Sequence, residues 1–513
     1  MNTSNPAETQ VRVIEFLSDP ASYDAAGPVC QISTHCSIVF LVEKRAYKLK
    51  RAVKYSYLDY STLALREKFC HAELALNQRT APEIYLRVRP ITLTTRGVLA
   101  FDGDGEVLDY VLEMRRFCDK DLFDQIVEAD RLTPALANRL ADTIAQFHAD
   151  AERTPLHGGR DKFASTITGN YDNLILSLPA LDRRLIERQL CQSRARMREV
   201  GDLMDERRDR GFTRRCHGDL HLRNICLFNN RPMLFDAIEF NDDISCIDVI
   251  YDLAFLLMDL VHRHRIDLAN LIFNRYFDYT GDRSGLSPLP LFLSTRAAVR
   301  AHVQVALGCT SGDGRAPSFR TAADYLELAL KLLEKHRPQL IALGGISGTG
   351  KSTIARALAP VYPPMPGARV LRSDILRKRL ALVPAETRLP AESYTAAASR
   401  EVYAKLRSDA IAIAATGYTV ILDATFLSPH ERHAVAEVAR EAGLRFTGLW
   451  LEAPHDILVA RVYGRQGDAS DAGIAVLEQQ LGVDPGRIEW QRIDASENMM
   501  ATLAAVKTAC GLK

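Results

Sequence analysis

Two stretches of this 513-residue chain carry residues whose types and spacing suit phosphoryl transfer: Cys216-His217-Gly218-Asp219-Leu220-His221-Leu222-Arg223-Asn224 followed by Asp236, and Gly345-Ile346-Ser347-Gly348-Thr349-Gly350-Lys351-Ser352. Transfer to a hydroxyl needs one carboxylate to orient or deprotonate the acceptor, and an amide and a second carboxylate to hold Mg²⁺ against the phosphates. In the first stretch Asp219 suits the base, and Asn224 and Asp236 suit the metal. The second fits G-x-x-x-x-G-K-[ST] in full. Its Gly345, Gly348 and Gly350, with Ser347, Thr349 and Thr353, let backbone N–H groups close around a phosphate. Lys351 then reaches the outer phosphates and Ser352 ligates Mg²⁺. ATP, with GTP as the alternative nucleotide, and Mg²⁺ are the expected cofactors.

Each stretch needs elements that hold it. Gln339 to Gly344 is a short apolar run that reads as a buried strand, and Thr353 to Leu358 reads as the following helix. Arg369 to Asp374 reads as a strand ending in a carboxylate, with Arg377 three residues on. If a helix starts at Asp374, that spacing puts Asp374 and Arg377 on one side of its first turn, a base and a clamp for an acceptor hydroxyl. Tyr418 to Asp423 reads as a further strand, ending in a carboxylate placed to order the Mg²⁺ shell. Strands alternating with helices from Gln339 to Ala495 predict a parallel sheet between helices, with nucleotide at the carboxyl ends of the strands. In the first half, Met233-Leu234-Phe235 delivers Asp236 from a strand, and Asp248 and Asp252 follow on a helical run, where one of them braces the catalytic loop or, alternatively, serves as a cap or solvent-facing group.

The length implies two to four domains. Lys335-His336-Arg337-Pro338 closes a Leu- and Ala-rich helix, so a boundary is expected at residue 337, giving domains 1–337 and 338–513. With 47% hydrophobic and 25% charged residues the composition is that of a soluble globular protein, and a net charge of +1 gives no general attraction to nucleic acid or membrane. The N-terminus lacks a signal-peptide pattern and the most apolar stretch, Ile247 to Val261, is interrupted by three aspartates, so a cytoplasmic protein without membrane partners is expected. Ten scattered cysteines without a C-x-x-C pair fit reduced buried thiols.

The His217-Gly218-Asp219 loop with Asn224 resembles the aminoglycoside phosphotransferase and choline kinase branch of the protein-kinase-like fold. That resemblance implies a bilobal α+β domain with lobes of about 1–114 and 115–337. It implies that Phe40 to Lys50 carries the nucleotide lysine, Lys50 first and Lys48 in reserve, with Glu73 its partner. Tyr110 to Met114 becomes the hinge that meets adenine, and the helix of Leu136, Leu140, Ile144 and Phe147 leads to His148, which like His221 stays outside the chemistry. This chain departs from the wider fold in having Ile32 to Ser37 where a glycine-rich loop would cover the phosphates, and Asp236-Ala237-Ile238-Glu239 where protein kinases have Asp-Phe-Gly. The D-x-x-R of the second half is similar to that of small P-loop kinases of the polynucleotide 5′-kinase and zeta-toxin groups. By that likeness Thr425 and Arg432 approach substrate, and Arg465, ahead of Arg461, reaches the transferring phosphate from a lid.

Between Leu156 and Arg215, where the first family keeps its acceptor insert, thirteen Lys or Arg stand against nine Asp or Glu, mostly on one helix. A solvated helix face accounts for that excess; as an acceptor signal it points to a neutral or anionic small molecule such as a sugar, nucleoside or phosphorylated metabolite. The expectation is a bifunctional ATP-dependent O-phosphotransferase with two nucleotide sites. One alternative has the second half phosphorylating a nucleic-acid 5′-hydroxyl or a nucleotide sugar, which the absence of a basic and aromatic stripe disfavours. Another is a nucleotide-gated regulator without transfer activity.

Overall fold

The computed structural model describes residues 6–23, 27–55, 57–178, 180–310, 315–464 and 470–512. They fall into two compact units, one of residues 1–165 with 201–256 and one of residues 166–200 with 257–513.

The first unit opens with a six-stranded antiparallel sheet in the order Cys30–Ser33, Ser37–Val42, Arg45–Lys50, Glu106–Arg115, Tyr85–Leu93, Leu99–Phe101. Phe40 to Lys50 is thus a hairpin, not a single strand: Glu43 takes a left-handed φ of 46° and the chain turns back. Side chains alternate across a strand. Phe40, Val42, Tyr47, Leu49 and Val111 therefore share one apolar layer with Val13 and Leu17 of the Pro6–Ser18 helix. Each such burial is worth about 1.5–3 kcal/mol. Lys48 and Lys50 alternate with that layer and emerge on the opposite face, where the Leu63–Asn77 helix brings Glu73.

The Glu106–Arg115 strand is paired along both edges, Leu112 lying opposite Lys48 on one side and Val88 on the other. The backbone groups of this expected hinge are spent on the sheet, so most of Tyr110 to Met114 cannot offer them to adenine. Beyond it the Pro134–Asp150 helix buries Leu136, Leu140, Ile144 and Phe147, as their spacing predicts. Two short antiparallel pairs frame the catalytic loop: Thr213–Arg215 with Cys246–Asp248, and Ile225–Phe228 with Arg231–Leu234. The apolar run from Ile247 is the end of a strand followed by the Val249–His262 helix.

The second unit holds a five-stranded, wholly parallel sheet in the order Arg369–Arg372, Val420–Asp423, Gln339–Gly344, Arg445–Glu452, Gln491–Asp494. Ile341, Leu343, Ile421, Leu449 and Leu451 meet Ile354, Leu358 and Val506 in its core. The Ile266–Thr280, Leu289–Thr310 and Arg315–Lys331 helices belong to the same unit, and residue 337 lies within it. All ten cysteines are free; five are buried and four exposed, so the expectation of buried thiols holds for half. Among the described residues no helix is long and apolar enough to cross a membrane.

Candidate active sites

The catalytic loop of the first unit is held from beneath. His217 and Gly218 donate their backbone N–H groups to Asp252 at 3.1 and 2.8 Å, and His148 Nε2 lies 3.1 Å from the same carboxylate. Asp252 is fully buried, so it is the brace that the sequence left undecided between two aspartates. Asp248 instead pairs with Arg207 at 2.7 and 2.9 Å and caps the next helix through Ile250 N–H at 2.8 Å. Gly218 takes a φ of +84°, which strains any side-chain-bearing residue, and a Cβ there would press on the Ile244 carbonyl at 3.1 Å. Burial lowers the pKa of His217, which bonds the Phe235 carbonyl at 2.8 Å. It is an anchor of the loop, as its neighbours His148 and His221 were expected to be.

Asn224 Nδ2 donates to the Asp219 carboxylate and to its carbonyl, both at 2.9 Å. The Phe235 N–H bonds the Asn224 carbonyl at 3.0 Å, which sets the next residue, Asp236, beside the loop. Asp236 itself adopts a φ of +65°, an uncommon conformation for a side-chain-bearing residue. Its N–H bonds Tyr85 Oη at 3.0 Å and the N–H of Ala237 bonds Asn77 Oδ1 at 2.9 Å, so the surroundings impose the turn.

Glu73 divides its carboxylate between two lysines. Lys48 donates to Oε1 at 2.8 Å and to Asp236; Lys50 donates to Oε2 at 2.6 Å and to Glu239 at 2.5 Å, where Tyr60 also donates at 2.5 Å. Of the two, Lys48 is the one beside the exposed Asp236 carboxylate, and Lys50, the lysine first expected there, is turned into a sealed pocket. Both sit on one strand face, so periodicity alone cannot separate them. Burial would depress the Lys48 ammonium, but Asp236 and then Glu73 outweigh it and hold its pKa well above the usual value. Burial holds Glu239 above the ordinary carboxylate range against the pull of Lys50. Glu239 and Tyr60 escaped the sequence reading; the only trace was Glu239 in the departure from Asp-Phe-Gly.

Where a glycine-rich loop would lie, the Thr34 hydroxyl accepts from the Ser37 N–H at 3.0 Å and closes the turn around His35 and Cys36. Tyr55 and Tyr57 stack with an interplanar angle of 9°, and His35 packs edge-on against both. A hydroxyl-tied turn backed by aromatic rings thus replaces the flexible glycines.

In the second unit packing excludes a side chain at two of the three loop glycines. Cβ atoms on Gly345 and Gly348, at φ of +132° and +89°, would lie 2.4 and 2.8 Å from the carbonyls of Leu451 and Leu458. Ser352 Oγ donates to Asp423 at 2.6 Å, and Arg372 Nε lies 3.2 Å from the same oxygen. Lys351 Nζ donates to the carbonyls of Gly345 and Ile346 at 2.7 and 2.9 Å and reaches Thr349 Oγ1 at 3.4 Å. The Ser347 N–H bonds Gln480 at 2.8 Å, and Thr353 is exposed on the Lys351–Leu358 helix.

Asp374 sits in the first turn of the Ser373–Leu380 helix, where burial, reinforced by Asp423, raises its pKa against Arg372 and Lys351. Arg377 turns to the Ser393 carbonyl at 2.6 Å, to Ser399 Oγ at 3.3 Å and over the Tyr394 ring. Lys378, which the sequence did not single out, is buried against Asp471 at 3.0 Å, and Tyr394 donates to the same carboxylate at 2.5 Å. The separation of 93 residues left that pair no local signal. Arg461 and Arg432 are spent on backbone carbonyls, Ala495 and Glu497 for the first and Phe426 and Leu427 for the second. Thr425 Oγ1 meets Tyr403 Oη at 3.1 Å. Arg465 lies outside the described residues.

Both donor sets fit a hard, oxygen-liganded cation, Asp236 with the Asn224 amide in one and Ser352 with Asp423 in the other, and the close-packed glycine cradle fits a phosphate. Residues 68–289 match the family described as phosphotransferase enzyme family, and residues 340–483 match an AAA domain. An uncharacterized protein of Mycobacterium tuberculosis is 29% identical over 479 residues, 90% of this chain and 91% of its own length. Adenylyl-sulfate kinase of Myxococcus xanthus is 35% identical over 125 residues, 24% of this chain and 62% of that protein. Among solved structures, a choline/ethanolamine kinase family protein of Mesorhizobium loti aligns at a TM-score of 0.40 and 14% identity, covering 64% of this chain and 95% of its own. A gluconokinase of Sinorhizobium meliloti aligns at 0.23 and 20%, covering 34% and 98%. The two family matches span the Cys216–Asn224 and Gly345–Ser352 loops: the chain joins a phosphotransferase-family domain to a P-loop domain of kinase type, and it is a phosphotransferase.

Proposed function

We propose that this phosphotransferase has two separate nucleotide sites, each moving the terminal phosphoryl of ATP to a hydroxyl of a small molecule such as a sugar or nucleoside, in halves of about 1–337 and 338–513. The observation that carries the reading is Lys48, which joins Glu73 to Asp236 and so brings the nucleotide lysine to the metal carboxylate. Bound Mg²⁺ and ATP supply the electrophilic phosphoryl group. In the first half Asp219 accepts the acceptor proton, Asn224 and Asp236 hold the cation, and Lys48 holds the phosphates in place of the expected Lys50. In the second, Lys351 and the loop N–H groups hold phosphate, Ser352 and Asp423 hold the cation, Asp374 is the base and Arg377 the clamp. A cytoplasmic setting, with ATP at hand and thiols reduced, is part of this proposal.

For the P-loop half a nucleotide-like, anionic acceptor is a second reading. It is favoured by the likeness to adenylyl-sulfate kinase and by Arg377, whose partners among the described residues are a carbonyl, a hydroxyl and a ring.

The test is a metabolite screen with mass-spectrometric detection of phosphorylated products, run on the full chain and on Asp219→Ala and Lys351→Ala variants. Each variant should lose one product and keep the other. Unchanged transfer in both would sink the proposal, and loss confined to anionic acceptors in Arg377→Ala would favour the second reading for the P-loop half.

A further inference from the structure

The Arg369–Arg372 strand is an edge strand: among the described residues it pairs only with Val420–Asp423. Successive N–H groups of a strand point to opposite sides, so every second one faces away from the sheet and needs another partner. Arg369 N–H points inward, to the Thr419 carbonyl at 2.9 Å. Val370 N–H points outward and finds Asn274 Oδ1 at 2.8 Å, while Asn274 Nδ2 and Asn270 Nδ2 donate to the Ala368 carbonyl at 3.2 and 3.0 Å. The amide of Asn274 thus stands in for a neighbouring strand, accepting and donating as a backbone would.

These asparagines belong to the Ile266–Thr280 helix, which lies in the segment matched to the phosphotransferase family, whereas the strand lies in the segment matched to the AAA domain. The contact is buried and specific. Asn270, Asn274 and Arg369 are 2%, 9% and 2% exposed, and Arg369 donates to Asn274 at 2.6 Å and to Asp278 at 2.5 Å. Phe273 stacks on Tyr418 with ring centroids 5.5 Å apart. A Cβ on Gly367 would come within 2.6 Å of Asn270 Nδ2, so the helix approaches as near as the backbone allows.

The grip continues to the reacting end. The strand runs into the Ser373–Leu380 helix that carries Asp374 and Arg377. Arg379 of that helix donates to Asp409 at 3.2 Å, and Arg283, just beyond the Ile266–Thr280 helix, donates to the same carboxylate at 2.6 Å. Arg275 pairs with Glu386 at 2.8 Å, past the far end. The element bearing the base and clamp is therefore held by groups from the other family segment before its start and after its end, and through the shared Asp409 carboxylate in its last turn.

We propose that Asn274 and Asp278 are positioning residues of the P-loop site: one half of the chain supplies part of the scaffold that aims Asp374 and Arg377 in the other. This rests on the reading of the P-loop half as a kinase with Asp374 as base. Turnover at the second site then depends on residues that family boundaries assign to the first, and the halves are not interchangeable modules.

The test uses the full chain carrying Asp219→Ala, so that hydrolysis of Mg²⁺–ATP to water reports the P-loop site. Adding Asn274→Ala strands the buried Val370 N–H at the strand edge and leaves the Ala368 carbonyl to Asn270 alone, and should speed amide exchange of Val370 to Arg372 and lower kcat by about tenfold each. KM for ATP should stay within about twofold, because the phosphate loop follows a strand two positions away in the sheet. Asp278→Asn keeps a hydrogen bond to Arg369 without the charge, guards against misfolding of the first variant, and should lower kcat by about threefold. Unchanged kcat in either folded variant, or a loss that appears wholly in KM, overturns the proposal. Hydrolysis that survives Lys351→Ala in the same background overturns instead the underlying reading of the P-loop site.

Discussion

Lys50 and Glu239 form a sealed ion pair, 2.5 Å apart and 2% and 4% exposed, on the far side of Glu73 from the Asp236 carboxylate. Lys50 also takes Glu73 Oε2, which leaves Oε1 to Lys48. The second pair fixes the glutamate, and the glutamate fixes the lysine that faces Asp236. Lys48→Met should therefore lower turnover at the first site by about a hundredfold with little effect on folding. Lys50→Met should act through stability, because it leaves Glu239 buried without its partner at a cost of about 3–5 kcal/mol. Urea titration and product formation, measured together, separate the two; equal stability losses would refute the division of labour.

Asp252 accepts two backbone N–H groups of the catalytic loop from a fully buried position. Asp252→Ala strands both, at about 1–3 kcal/mol each, and frees the loop that carries Asp219. Loss of product from the first site, with the product of the P-loop site retained in the folded fraction, is the expected result.

Burial lifts the Asp374 pKa above its ordinary range, with Asp423 adding to the effect. A carboxyl whose folded pKa is raised favours the folded state while protonated, and that contribution is lost as pH rises through the folded pKa. At neutral pH Asp374→Asn should therefore raise the melting temperature while abolishing transfer at the P-loop site. Since a base must be ionised, the acid limb of kcat/KM at that site should lie higher than for an ordinary aspartate. Calorimetry and a pH–rate profile check the two signs.

Ser352 Oγ bonds Asp423 at 2.6 Å, a pair suited to a hard cation. Ser352→Ala should raise the Mg²⁺ concentration for half-maximal turnover at the P-loop site by about tenfold and leave the first site's requirement unchanged. Chelation with EDTA should stop both reactions, and added Mg²⁺ should restore them.

Much of this chemistry was legible in the sequence because it is local. Gly345 to Ser352 spell out a loop whose backbone conformation the glycines dictate, flanked by a strand and helix with their own periodicities. Asp219 and Asn224, five residues apart, hydrogen bond as their spacing suggests. Leu136, Leu140 and Ile144 declare a helix face that the core then buries. Local spacing could not rank Lys48 against Lys50, since both leave one strand on one face and only groups 188 and 189 residues away, Asp236 and Glu239, tell them apart. Nor could it choose Asp252 over Asp248, because the deciding donors sit on a loop more than 30 residues earlier.

The sequence by itself determined which residues could do chemistry, because loop conformation and helix or strand period depend on neighbours along the chain. Only the tertiary structure decided which lysine faces the Asp236 carboxylate, which aspartate braces the loop, and that Asn274 completes the edge strand of a sheet almost a hundred residues later. Those choices rest on where distant backbone groups and charges are left needing partners, and that need arises only once the chain has folded.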